Sequence, residues 1–269
     1  MKLIDGKRVA SVWAKGLQRK FKQAGKLVAI LVGDNPASLV YLEKKALMAK
    51  ELGVQFELCQ FKANVNQSVV EKKIASFNVD KKVAGMIVQL PLPTKWNTAE
   101  VINTIIPSKD VDGLTDANIS SGEILPATAV GILKLLEEYQ VKLRGRNIVL
   151  VGFTRLLNIP LSIYLASLKN NVTVLQEGTR NKSVLCEADV IITATGKSKL
   201  ITGKDVKNGA VIVDAGVSRV NKKLVGDVDF ASVSKKARLI TPVPGGVGPM
   251  TVVALFANLY RVAESRSGR

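Results

Sequence analysis

Histidine is absent from all 269 residues, which excludes a serine–histidine triad and a histidine general base and leaves few routes to a catalytic zinc. Proton chemistry must fall to Lys, Tyr, Asp or Glu. Cysteine is nearly as scarce: Cys59 and Cys186 stand far apart in no metal-type spacing, which suggests two buried thiols, no bridge and no metal site. Aromatic residues make up 5% of the chain and form no aromatic–basic ladder, so a nucleic-acid partner is not expected. There is no apolar run of membrane-spanning length, and Asp5 and Lys7 interrupt the opening stretch where a secretory signal would need continuous apolar residues. The expectation is a cytoplasmic protein without a membrane partner. Acidic side chains are also short in number, 22 against 39 Lys and Arg, for a formal charge of +17. The basic residues are spread along the whole length, which describes a solvated cationic surface with attraction for anionic substrates.

What is present is a regular alternation of short apolar runs and helical patterns, the signature of parallel α/β architecture. LVAILVG at 27–33, VQFELCQF at 54–61 and VAGMIVQLPLP at 83–93 read as three strands, with helices over 35–53 and 67–77 between them. The prolines after the third run cannot continue a sheet, so Gln89 falls at a strand's carboxyl end, where open α/β sheets bind ligands. A short helix near 98–105 leads into PSKDVDGLTDANISSGEILPAT, 107–128, a run of turn formers expected to connect two domains, with Asp110 and Asp112 serving as caps or turns. A helix over 129–139 follows.

The helix at 35–53 carries the first chemical signal. Asn35 suits its cap, Pro36 its first position and Gly53 its end, and Tyr41 and Lys45 share a face one turn apart, continued by Met48, Ala49 and Leu52. A lysine on an apolar face with a phenol beside it has two readings: a buried amine poised to exchange a proton, or a stem that packs while its head snorkels to water. The helix by itself favours the second.

The second half repeats the alternation. GRNIVLVGFTRLLNIP at 145–160 is strand, glycine turn and helix, able to offer backbone N–H groups to a phosphate after Gly152, but with one glycine where a Rossmann fingerprint has three. The next strand, NVTVLQ, ends at Glu177, an acid where a Rossmann fold would bind ribose hydroxyls and equally readable as a surface glutamate. ADVIITATG at 188–196 and AVIVDAG at 210–216 are further strands ending in Gly196 and Gly216, which permit close approach of a ligand to backbone. TPVPGGVGPMT at 241–251 is the densest cluster of special residues, expected as a stiff irregular loop before an apolar helix from Thr251 to about Val262 that packs back on the first domain.

Four motifs together resemble the methylenetetrahydrofolate dehydrogenase/cyclohydrolase family over nearly the whole chain: S-x-x-Y-x-x-x-K at Ser38, Tyr41 and Lys45, VQLPLP at 88–93, KDVDG at 109–113 and TPVPGGVGPMT. The resemblance implies two three-layer α/β domains facing a cleft, the second Rossmann-like, with the last helix returned to the first, and a homodimer. Its boundaries would be 1–117 with 244–269 for the folate domain and 118–243 for the NAD(P) domain. It implies Lys45 as the catalytic lysine assisted by Tyr41 and Gln89, Asp112 holding the pterin, and Pro244, Gly245 and Gly246 lining the folate pocket. Gly152, Thr154, Glu177, Thr179, Gly196, Gly216 and Val217 would meet the cofactor. The activity implied is oxidation of 5,10-methylenetetrahydrofolate with NADP or NAD, then hydrolysis of the methenyl product to 10-formyltetrahydrofolate.

The departures from the family pattern fall mainly after Gly152. G-R-S-x-I-V-G-x-P has become GFTRLLNIP, so Phe153 stands in place of the arginine and Asn158 in place of the second glycine. C-H-S-x-T has become LQEGT at 175–179, and Glu177 would repel a ribose phosphate, which favours NAD over NADP. P-C-T-P-x-G has become PATAVG at 126–131, and D-G-F-H-P has become DGLTDA at 112–117. The alternative is a member with a decayed dinucleotide site, left with the hydrolytic step or neither.

Overall fold

The computed structural model describes residues 1–21, 25–176 and 181–266. The chain divides into two compact units, the first Val12–Ala127 with Val252–Arg269, the second Met1–Ser11 with Thr128–Thr251. It opens with β1 (Lys2–Leu3) and α1 (Gly6–Gln18), the helix beginning in the second unit and running on into the first.

The first unit then follows β2 (Lys26–Val32), α2 (Pro36–Leu52), β3 (Gln55–Phe61), α3 (Gln67–Val79), β4 (Val83–Val88), α4 (Thr98–Asn103) and α5 (Asp116–Ser121). Its three strands pair in parallel in the order β3-β2-β4. β4 is buried along its whole length and β2 almost so, because unbroken apolar runs suit strands covered on both faces. Val28, Ile30 and Val32 pack with Val70, Ile74 and Phe77 of α3 and Val101 of α4.

Residues 107–128, expected as an interdomain connection, are instead folded into the first unit, except for Thr128 at its boundary. The buried Asp110 accepts from the N–H of Gly113 (2.9 Å) and Thr115 (2.8 Å) and from Asn118 Nδ2 (2.9 Å). Lys109 Nζ donates to the carbonyls of Phe77 (2.8 Å) and Asp80 (2.7 Å), meeting groups that the end of α3 leaves open. The turn-forming residues specify a hydrogen-bonded knot, whose partners no local pattern could name.

The second unit contains α6 (Ala127–Glu138, its first residue in the first unit), β5 (Asn147–Val151), α7 (Asn158–Ser167), β6 (Asn171–Leu175), α8 (Lys182–Glu187) and β7 (Val190–Thr193). There follow β8 (Val211–Asp214), the hairpin β9 (Ser218–Val220) and β10 (Lys223–Val225), α9 (Phe230–Val233), β11 (Leu239–Ile240) and α10 (Val247–Arg266). Six strands form one parallel sheet in the order β1-β11-β8-β7-β5-β6. The chain leaves β5 for β6 on one side and returns for β7 on the other, so the topological switch point lies between β5 and β7.

Two differences from the sequence reading concern boundaries. Residues 1–11 join the second unit, because Lys2 and Leu3 pair with Leu239 and Ile240. α10 starts at Val247, inside the motif expected to be loop, since Pro249 falls in the first helical turn where a missing N–H is tolerated. From Val252 the same helix belongs to the first unit, where Asn258 Nδ2 donates to the carbonyls of Val111 and Leu125 at 2.9 Å. Cys59 and Cys186 are free and half-buried rather than buried, Cys59 lying on the edge strand β3. No described helix is long and apolar enough to cross a membrane.

Candidate active site

α2 forms as its punctuation dictates: Asn35 accepts from the N–H of Ala37 (2.9 Å) and Ser38 (3.3 Å), and Gly53 closes the helix at φ 72°. Its buried stripe is Ser38, Leu42, Lys45, Ala49 and Leu52. Lys45 is therefore interior, with 9% of its surface exposed, and the snorkelling reading does not hold. Its Nζ donates to Gln89 Oε1 at 3.1 Å. Gln89 directly follows β4, beside β2 at the switch point of the three-stranded sheet, with its N–H on Ile30 O at 2.8 Å. Its Nε2 donates to Leu90 O (2.9 Å), which also accepts from Ser38 Oγ (3.2 Å).

Burial pushes the Lys45 ammonium below its ordinary pKa, with the Asp112 carboxylate working in the opposite direction. Burial likewise raises Asp112, against the pull of Lys45 and with the push of Asp110. The unit thus brings together an amine that sheds its proton easily, an amide fixing its position and a carboxyl of elevated pKa. Tyr41 is not in this bonded set. It stands at the rim of the stripe, 42% exposed, with Lys44 Nζ 5.6 Å from its ring centroid. Four-residue spacing put it near the apolar face, but the stripe is centred on Leu42 and Ala49.

In the second unit a cavity of about 300 Å³ lies at the switch point, lined by Gly152, Phe153 and Thr154 after β5, Gln176 after β6, and Ala194 and Thr195 after β7. Gly152 has φ 104°, and a Cβ there would press on Ala194 O. Asn158, in place of the family's second glycine, is wholly buried and turned into the strand end, its Nδ2 donating to the carbonyls of Val151 (3.0 Å) and Gly152 (2.7 Å). It lines no part of the cavity, so its side chain leaves the ligand space open.

A model described as the catalytic domain of tetrahydrofolate dehydrogenase/cyclohydrolase matches residues 4–112, and one described as that family's NAD(P)-binding domain matches residues 126–267. The chain belongs to this family. It is 41% identical to the bifunctional protein FolD of Sulfurihydrogenibium sp., over 99% of each chain. Among solved structures it is similar to the bifunctional FolD of Campylobacter jejuni, at 36% identity with a TM-score of 0.96 over 99% of each chain. It is also similar to the Trypanosoma brucei methylenetetrahydrofolate dehydrogenase-cyclohydrolase complexed with NADP and an inhibitor: 30% identity, TM-score 0.92, 100% of this chain and 98% of that one.

The remaining residues singled out from the family pattern fall in the second unit. Val243–Pro244 is a cis peptide; Pro244 is exposed, Gly245 half-exposed at φ 109°, and Gly246 is buried against Gly6 and Pro242. Gly196 is exposed at φ 73° and Val217 is 49% exposed. At Gly216 the space a side chain would take is filled by the Asp227 carboxylate, so its lack of a Cβ makes room for an internal contact. Glu177 and Thr179 lie outside the described residues. Sequence reasoning missed Ser38 as a partner of the Leu90 carbonyl and missed Asp214 and Asp227 altogether. The one signal for the aspartates was their place after an apolar run or beside a glycine.

Proposed function

We propose that this chain oxidises 5,10-methylenetetrahydrofolate with a nicotinamide dinucleotide and hydrolyses the resulting 5,10-methenyl compound to 10-formyltetrahydrofolate. The observation that carries the reading is the buried Lys45 held by Gln89 at 3.1 Å with Asp112 in its field. Lys45 in its neutral form takes a proton from the water that adds to the methenyl carbon, while Gln89 keeps the lone pair aimed. The same proton returns to the folate nitrogen N5 as its bond to that carbon breaks, while the hydroxyl proton of the adduct leaves to solvent as the C=O forms, so the formyl group stays on N10 and one proton is released overall. Tyr41 stands one turn away at the rim, where it is placed to steer substrate. Asp112 is assigned to the pterin, and Pro244 and Gly245 are assigned folate contacts on the family pattern, with Gly246 shaping their loop.

The second unit fits a dinucleotide: Gly152, Thr154 and Thr195 line the cavity at its switch point, and Asn158 is folded away from it. Gly196 and Val217 are accessible to the same ligand, and Gly216 supports Val217 from behind. The bound cofactor supplies the hydride acceptor, and the second unit's part in that step is to hold it. A chain reduced to hydrolysis would not need this cavity. Following methenyltetrahydrofolate by absorbance in two assays tests the reading: its formation with NAD or NADP, and its hydrolysis without nucleotide. Absence of both would refute it.

The preference is proposed as NAD over NADP, on the charge of Glu177 two residues after β6 and on Phe153 in place of arginine. Glu177→Ser is then expected to raise the NADP/NAD ratio of kcat/KM about tenfold, the worth of removing one like charge near a phosphate. An unchanged ratio would place Glu177 away from the ribose. A homodimer is also proposed, because β3 is a sheet edge with Leu58 42% exposed on it. Light scattering should give twice the 28.9 kDa chain mass, and a monomer at micromolar concentration would overturn it.

A further inference from the structure

The second unit holds a pair of carboxyl groups that the proposed chemistry does not use. Asp214, the last residue of β8, is 3% exposed, and Asp227, after β10, is fully buried. Asp214 Oδ1 accepts from the N–H of Gly216 (3.0 Å) and Asp227 (3.1 Å), and its Oδ2 from that of Val228 (2.9 Å). Its own N–H donates to Thr241 Oγ1 at 2.7 Å, at the head of the glycine–proline motif. Asp227 Oδ2 accepts from Thr193 Oγ1 (2.7 Å) and from the N–H of Thr195 (2.6 Å).

Two glycines make room for this arrangement. A Cβ on Gly216 would overlap the Asp227 carboxyl, and one on Gly226 would overlap that of Asp214. Asp227 Oδ1 is buried without a hydrogen-bond partner. An unsatisfied buried acceptor costs stability, and such costs are retained where a site needs the geometry. Burial, with the Asp227 charge adding to it, raises Asp214 to about 6. The aspartates therefore tie together the carboxyl ends of β7, β8 and β11. Thr195, which Asp227 holds by its N–H, is itself a wall of the switch-point cavity.

We infer that Asp227 is a positioning residue for the nicotinamide dinucleotide: it fixes the Thr195 wall and backs the 215–217 loop, and Asp214 anchors Asp227 in turn. This rests on the assignment of the switch-point cavity to the cofactor. An amide of the same shape can keep its oxygen on Thr193 Oγ1 and the Thr195 N–H with its NH2 in the unpartnered Oδ1 position, and what it removes is the negative charge that strengthens both of those bonds.

The test is calorimetric titration of the full-length protein with NAD and with NADP, alongside hydrolysis of methenyltetrahydrofolate without nucleotide. Asp227→Asn is expected to weaken binding of the preferred nucleotide about tenfold, one charge-assisted hydrogen bond's worth, and to leave hydrolysis within about twofold. Thr193→Val, which removes one donor to the same oxygen, should weaken binding less, and the double variant should bind no worse than Asp227→Asn alone. Wild-type affinity in Asp227→Asn would overturn the inference, as would parallel loss of binding and hydrolysis, or simple additivity with Thr193→Val. If the wild-type protein binds neither nucleotide, the cavity assignment fails and the inference with it. That result is distinct from one in which wild type and variant bind alike, which removes the inference alone.

Discussion

Lys45→Met is expected to lower methenyltetrahydrofolate hydrolysis by about 10²- to 10⁴-fold, the range in which positioned proton transfer contributes. Methionine keeps the length and apolar stem of the side chain and removes only the amine that Gln89 holds. The fold should survive, for a reason that follows from the direction of the pKa shift. Because the buried Lys45 has its pKa lowered from 10.5, the unfolded chain binds more protons than the folded one between that lowered value and 10.5. Lys45 therefore makes stability rise with pH across this window and detract from it below. Lys45→Met should flatten that slope and leave the thermal midpoint at neutral pH no lower than wild type. Unchanged hydrolysis would remove Lys45 from the mechanism, and a collapsed midpoint would make the loss one of folding.

Asp112→Asn is expected to act on both binding and pH dependence. Losing a charge-assisted contact should raise the KM for methylenetetrahydrofolate about tenfold or more while the KM for the nucleotide changes less than about twofold. Hydrolysis requires neutral Lys45, so its rate rises with pH through the lysine's lowered pKa, and the Asp112 carboxylate is the group that raises that pKa. Removing the charge should move this limb to lower pH. Equal losses for folate and nucleotide, with the limb unmoved, would assign Asp112 a structural role. The two charges oppose each other's shifts, so the double variant with Lys45→Met should show no pH limb from either group.

The lysine helix was legible because each of its signals is local. Asn35, Pro36 and Gly53 act on backbone groups within a few positions of themselves, and the structure places the cap, the first turn and the left-handed end where those residues stand. The central strands β2, β4, β5, β7 and β8 could be read for a related reason: a strand buried on both faces needs an unbroken apolar run, and few other elements do. Gln89 could be placed at a ligand-binding edge because prolines end the strand before it.

What stayed hidden depends on partners distant in sequence. Whether Lys45 snorkelled or was buried turned on Gln89, 44 positions away, and on the covering of its face. Residues 107–128 looked like a linker because Asp, Gly and Ser form turns in either setting. Phe77, Asp80, Asn103 and the last helix supply hydrogen bonds that make the segment part of a core. β1 and β11, two residues each, carry no periodicity and exist because they pair with each other across the length of the chain.

By itself, then, the sequence determined the α/β class, the helix that presents Lys45, the strand end that presents Gln89 and the family these motifs belong to. The tertiary structure decided which units the ends of the chain join, that Tyr41 stands outside the bonded cluster and that Asn158 leaves the cavity open. It also decided that the Asp227 carboxylate fills the space beside Gly216. The division is physical. Caps, turns and apolar runs act through neighbours in the chain, whereas burial, charge coupling and the filling of a glycine's empty side depend on groups that only folding brings within reach.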